Sequence, residues 1–123
     1  MNKFEFESHI QEWNEFNDLT YSIEDVAGKV KLASGNKEVH VTAAYDCEEF
    51  FIDFFQDGDA LYSDWYESMD DPVNEMMEYT KAIALRYLNH PVRVKSTGWW
   101  IFKRPIIEYQ ENKKWHNVFE SSI

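Results

Sequence analysis

Residues 71–91 read DPVNEMMEYTKAIALRYLNHP. Asp71 is suited to N-cap a helix, and Pro72 fits its first position, where the missing N–H is no loss. Val73, Met76, Met77, Thr80, Ile83, Ala84, Tyr87 and Leu88 recur at 3.6-residue spacing and trace one apolar face. Asn89-His90-Pro91 stops the pattern. The spacing predicts one long helix over residues 72–89 that needs a surface to cover.

On both sides of this helix the period falls to two. Upstream, Leu19, Tyr21 and Ile23 alternate with Thr20 and Ser22, and Val30 and Leu32 alternate with Lys29 and Lys31. Ser34-Gly35-Asn36-Lys37 tolerates positive φ, and Val39, Val41 and Tyr45 resume the alternation, as in a hairpin. Phe50 to Phe55 is apolar on both parities except at Asp53, which describes a strand covered on both faces or one whose second face meets a partner. Gln56-Asp57-Gly58-Asp59 reads as a turn into Ala60–Tyr66. Downstream, Val92 to Lys95 and Trp99 to Phe102 read as strands. Ile107, Tyr109, the Glu111–Lys114 turn and Trp115 to Phe119 read as a last hairpin. Pro105 restricts its surroundings to an edge or a break.

The N-terminus is ambiguous in period. Phe4 and Phe6 alternate with Glu5 and Glu7 like a short strand. Ser8 and Gln11 have capping-box spacing, with Ile10, Trp13 and Phe16 following at helical intervals. Phe6, Ile10 and Trp13 form an equally good i, i+4, i+7 stripe. The adopted reading is a short helix ending near Asn17. Strands and helices do not alternate regularly, so the pattern predicts a single α+β domain over residues 1–123. Its antiparallel sheet should have about five to seven strands, with the 72–89 helix packed on it.

With 123 residues, 12 Lys plus Arg and 23 Asp plus Glu, the chain carries a formal charge of −11. Five Trp, seven Tyr and nine Phe set it apart from disordered acidic chains. No apolar run reaches membrane-spanning length, and the first residues lack the apolar stretch of a signal peptide. One cysteine, Cys47, makes no internal disulfide. A cytoplasmic protein is expected. Its acidity argues against nucleic acid or anionic membrane as direct partners.

A calcium loop around Asp57-Gly58 would put Phe55 at its third position and Asp64 at its twelfth, and neither fits. His9, His40, His90 and His116 show no zinc spacing. Cys47 and His40 are seven apart, which places them on opposite faces of an extended strand. Glu48 and Glu49 beside Cys47 would raise a thiol pKa. Nucleophile elbows, phosphate loops and dinucleotide fingerprints are absent from the sequence. Neither a catalytic role, a metal nor a cofactor is expected.

The distribution of charge carries more information. Between Asp46 and Glu78 lie twelve acids and not one Lys or Arg, whereas Pro91 to Lys114 holds six bases against two acids. Such a block repels itself. Phe50, Phe51, Phe54, Phe55, Tyr62, Trp65 and Tyr66 are interleaved with it. Most of these rings belong to a core. Aromatics rimmed by charge of one sign nevertheless suit a protein-binding patch, with rings as anchors and acids steering a basic partner. The candidate partner-binding residues are Asp57, Asp59, Tyr62, Asp64, Trp65, Tyr66, Glu67 and Asp70. Of the Trp99-Trp100 doublet, one ring should enter the core.

A compact acidic α+β domain without catalytic motifs, bearing the Asp46–Glu78 block with Tyr62, Trp65 and Tyr66 in it, resembles the small acidic immunity proteins of bacterial polymorphic-toxin and contact-dependent inhibition systems. The resemblance implies a stoichiometric inhibitor that occupies the active site of a cognate toxin domain, often a basic nuclease. The basic 91–114 window implies a one-sided interface. Two other classes stay open. A DNA-mimic antagonist of a nucleic-acid-binding enzyme would need its acids along a duplex-like track. A small enzyme or ligand-binding domain would need an apolar pocket with convergent polar groups.

Overall fold

Three two-residue turns organise the strands. The computed structural model describes residues 3–24, 27–44, 49–67, 73–97 and 104–120. Strands β2 (Ala27–Ser34) and β3 (Lys37–Ala44) join through Gly35-Asn36, with Gly35 at φ 60°. Strands β4 (Glu49–Gln56) and β5 (Asp59–Glu67) join through Asp57 and Gly58, at φ 54° and 83°. Positive φ at both central residues is the turn that matches the natural twist of a hairpin. With β1 (Asp18–Ile23) these strands make an antiparallel sheet in the order β1-β2-β3-β4-β5.

After helix α2 (Val73–Asn89), strands β6 (Val92–Thr97), β7 (Arg104–Glu111) and β8 (Lys114–Asn117) form a second, three-stranded antiparallel sheet. Its tight turn places Asn112 and Lys113 at φ 54° and 65°. The α+β class holds. Eight strands are present among the described residues, above the five to seven expected, because the chain builds two sheets. The expected strand at Trp99–Phe102, the Trp99-Trp100 doublet, Cys47, Asp71 and Pro72 lie outside the described residues.

Pro105 sits in the central strand β7, against the edge-only expectation, and the register explains why. Gln110 N–H donates to Pro91 O, so even-numbered residues of β7 bond toward β6. The nitrogen of Pro105 therefore points the other way, and β8 reaches only as far as the partner of Glu108. Proline forfeits no ladder bond there.

Both helices lie on one face of the five-stranded sheet, termed inner. That face presents Val30, Leu32, Val39, Val41, Ala43, Phe50, Ile52 and Phe54, all buried. Against them α2 sets Met76, Met77, Ile83, Ala84, Tyr87 and Leu88, the face its periodicity predicted. The second sheet adds Ile107 and Tyr109, followed by Val118.

Helix α1 spans Lys3–Gln11, earlier at both ends than the sequence reading. Ser8 lies inside the helix and caps nothing. Phe6, Ile10 and Trp13 are the buried set, so the i, i+4, i+7 stripe is what fixes the start. Beyond Gln11 the chain tightens, with Trp13 N–H donating to Ile10 O at 3.0 Å.

Two hairpin tips and a helix end converge. Asn36 Nδ2 donates to Asp57 Oδ1 at 2.9 Å, and Asp57 N–H donates to Asn36 O at 2.8 Å. Lys37 Nζ donates to Tyr87 O and His90 O, at 2.9 and 2.6 Å, satisfying carbonyls that a helix terminus leaves unpaired.

Candidate partner-binding face

The opposite, outer face of the five-stranded sheet follows directly from the register. One row across it reads Ser22, Lys29, Thr42, Phe51, Trp65; the next reads Thr20, Lys31, His40, Asp53, Ser63. Phe51 and Trp65 are directly opposed on β4 and β5, 38% and 54% exposed. Beside them Asp53 accepts a hydrogen bond from Ser63 Oγ at 2.6 Å. The His40 ring lies 4.4 Å from that of Phe55. This half of the face is an aromatic ridge with carboxylates at Glu49 and Asp53.

Across β1 to β3 the face becomes a groove of about 440 Å³, lined by Thr20, Ser22, Lys29, Lys31, His40 and Thr42 and bounded by Asp53. Two of its lysines are already paired: Lys29 with Glu24 at 3.5 Å, and Lys31 with Glu38 at 3.2 Å. Glu38 also meets His40 at 3.3 Å. The Lys31 hydrogen bond, then that of His40, holds the Glu38 carboxyl below its ordinary value despite some burial. The strip is thus hydroxyl-rich, with its two lysines balanced by neighbouring carboxylates.

Of the eight residues singled out in the sequence, the seven that are described do not gather in one place. Trp65 is on the outer face. Tyr62, Asp64 and Tyr66 alternate with it and point to the inner side, opposite Phe54, Ile52 and Phe50. Tyr66 is stacked on Phe50 at 5.4 Å and shares a hydrogen bond with Thr80. Thr80 Oγ1 spends its own proton on Met76 O, so its lone pairs are left for the Tyr66 hydroxyl. Burial drives the Tyr66 pKa well above that of free tyrosine. Tyr66 is half-buried and packs against the core from the inner side, so it does not share the outer face with Trp65.

Tyr62 OH donates to Asp64 Oδ2 at 3.2 Å, and Trp65 N–H donates to Asp64 Oδ1 at 2.8 Å, so Asp64 is engaged at the rim of the inner side. Asp57 serves the turn and the hairpin stitch. Asp59 is exposed opposite Gln56 at the start of β5, Glu67 ends β5 opposite Glu49, and Asp70 lies outside the described residues.

The cause of this split is a β-bulge. Gln56 pairs with Asp59 and Phe55 with Ala60, but Phe54 pairs with Tyr62. Leu61 is the extra residue. It inverts which parity of β5 faces inward from there on. Phe51 was missed as a surface group because its strand is apolar on both parities, and the signal that could have found it was its opposition to Trp65.

Among the described residues, no cluster of three or more His, Cys, Asp or Glu is placed to hold a metal ion. No described helix is long and apolar enough to cross a membrane. No known family model matches the chain, and no curated protein or solved structure does either.

Proposed function

We propose that this chain is an inhibitor of the immunity-protein kind, neutralising a cognate basic toxin domain in the cytoplasm by docking through the outer face of the five-stranded sheet. The observation that carries the reading is the exposed Phe51–Trp65 pair on the face that neither helix covers. Solvated sheet faces are ordinarily polar, and a large aromatic pair there is the kind of anchor that protein interfaces use. Glu49 and Asp53 flank the pair on β4, and a net charge of −11 draws a basic partner from a distance.

The DNA-mimic alternative needs acids along one track. Asp53 on the outer face, Asp57 at the turn and Asp64 on the inner side do not trace one. The ligand-binding alternative needs an enclosed apolar pocket. The outer groove is open rather than enclosed, with mixed polar and apolar lining, and it adjoins the aromatic ridge at Asp53, which suits part of a macromolecular footprint better.

The test is affinity capture from the native host with mass spectrometry of bound proteins, followed by co-expression with the captured partner, scored by growth and by co-purification. Wild-type chain should protect. Trp65→Ala and Phe51→Ala should weaken the complex by about 2 kcal/mol or more, mainly through faster dissociation. Raising salt should slow association, because steering between opposite charges is screened over about 10 Å at 0.1 M. Full protection by a Phe51→Ala/Trp65→Ala double variant with unchanged affinity would remove the outer face from the reading. A tightly bound small molecule in place of any protein would remove the reading itself.

A further inference from the structure

Among the described residues, four strand edges bound the two sheets, and three of them carry recognisable protection. Edge strand β5 has the Leu61 bulge and the inward-turned Asp64. Edge strand β6 carries Arg93 and Lys95, and β8 is four residues long. These are devices that keep open edges from pairing with other chains. Edge strand β1 carries a charge only at its first residue, Asp18, and has no bulge. From Leu19 to Ile23 it reads Leu-Thr-Tyr-Ser-Ile, with no charge, proline, glycine or register shift. Tyr21 is 40% exposed.

The hydrogen-bond phase of β1 shows what this edge offers. Glu24 N–H donates to Ala27 O at 2.7 Å, so that pair is a hydrogen-bonded one. Such pairs alternate along an antiparallel ladder, so Ser22, Thr20 and Asp18 also direct their backbone groups toward β2. Leu19, Tyr21 and Ile23 direct theirs outward. Among the described residues no strand accepts them.

We propose that β1 pairs antiparallel with β1 of a second copy about a two-fold axis through Tyr21. The register that uses every outward group sets Tyr21 opposite Tyr21 of the partner and Leu19 opposite Ile23 of the partner. The strand is self-complementary about that axis: an aliphatic residue, a hydroxyl, tyrosine, a hydroxyl, an aliphatic residue. Self-complementarity is what a two-fold interface demands and what a heterologous strand would not require. Inner-side pairs are then apolar or aromatic, and outer-side pairs bring Thr20 against Ser22 of the partner. The same register places Asp18 opposite Glu24 of the partner at both ends. Like charges there, added to −11 on each copy, oppose the pairing. The two five-stranded sheets become one of ten strands, with two hydroxyl-rich grooves meeting at its centre. This inference is independent of the toxin-inhibitor reading.

Sedimentation equilibrium across protein concentration tests it, with the mass expected to rise from 14.7 kDa toward twice that value. Dimerisation should strengthen several-fold between about 0.05 M and 0.5 M salt, since screening relieves the repulsion. Asp18→Asn should strengthen it at low salt and flatten that dependence. Tyr21→Lys should return the monomer with an unchanged far-UV spectrum. In a Cys47→Ser background, Tyr21→Cys should form an intermolecular disulfide, because directly opposed Cα atoms about 5.5 Å apart can be bridged. Thr20→Cys, which faces a different residue across the axis, should cross-link far less. A chain monomeric at every salt concentration would overturn the proposal. So would equal cross-linking at both positions, or β1 amides protected from exchange only when a different protein is added.

Discussion

The ring of Phe6 lies against the backbone of Gly28, so close that a Cβ on that glycine would stand 2.5 Å from Phe6 Cδ1. Helix α1 is seated on β2 through this contact. Gly28→Ala should therefore lift Phe6 out of its site and destabilise the fold by about 1–3 kcal/mol, the usual range for overpacking. Shortening the ring should relieve it. In a Phe6→Ala background, itself lower by roughly 3–5 kcal/mol, the added methyl at position 28 should have little effect. Urea denaturation of the four proteins in that cycle checks the coupling, and simple additivity would show that the two residues do not meet.

Ile83 is fully buried on the sheet-facing side of α2. Ile83→Ala should lower stability by roughly 2–5 kcal/mol, read as a shift in the urea midpoint at constant slope. A loss below about 0.5 kcal/mol would place that face outside the core.

Trp65 and Tyr66 are chain neighbours with opposite surroundings, and their alanine variants should part company. Trp65→Ala should stay within about 0.5 kcal/mol of wild type in stability, as exposed substitutions do. Tyr66→Ala should lose about 2 kcal/mol or more, through the packing lost against Phe50 and the hydrogen bond lost to Thr80. Thermal melts suffice to tell them apart, and equal losses would contradict the inward and outward assignment along β5.

Alkaline pH should unfold the protein through its buried tyrosines. Burial raises Tyr66 far above the ordinary value of 10, and burial with a smaller push from Asp57 takes Tyr87 to about 12. An unfolded chain releases these protons near pH 10 while the folded chain holds them, so the unfolded state binds fewer protons above that pH. Stability is then complete below pH 10 and falls as the pH rises from there toward about 12. Tyr87 OH donates to Phe55 O at 2.9 Å, so Tyr87→Phe should cost about 1 kcal/mol at neutral pH. It should also flatten the alkaline decline. An unchanged slope would exclude Tyr87 as a source.

Where one periodicity dominated, the sequence was readable. The α2 face from Met76 to Leu88 and the turns at Gly35, Asp57-Gly58 and Asn112-Lys113 followed from residue type alone. Ambiguity arose where two periods coexist. Phe4-Glu5-Phe6-Glu7 alternates like a strand, but Phe6, Ile10 and Trp13 bury one helical stripe, and tertiary contact with Gly28 decides between them. On β5 the sequence offered both Trp65 and Tyr66 as surface anchors, since nothing local marks Leu61 as the extra residue. That bulge is fixed by how β5 meets β4, and its consequence for the face is felt four residues further on. The candidate site was accordingly legible in composition and in Trp65, but not in orientation.

Lys37 makes the end of α2 a property of the whole molecule. The lysine stands 50 residues before Tyr87 and 53 before His90, whose carbonyls it holds. A peptide of residues 71–91 would lack that donor and should fray over its last turn, although its sequence ends the helix at Asn89-His90-Pro91. In the intact chain the last turn is secured only with the β2–β3 hairpin in place beside it. Completion of α2 is thereby made to report on completion of the sheet.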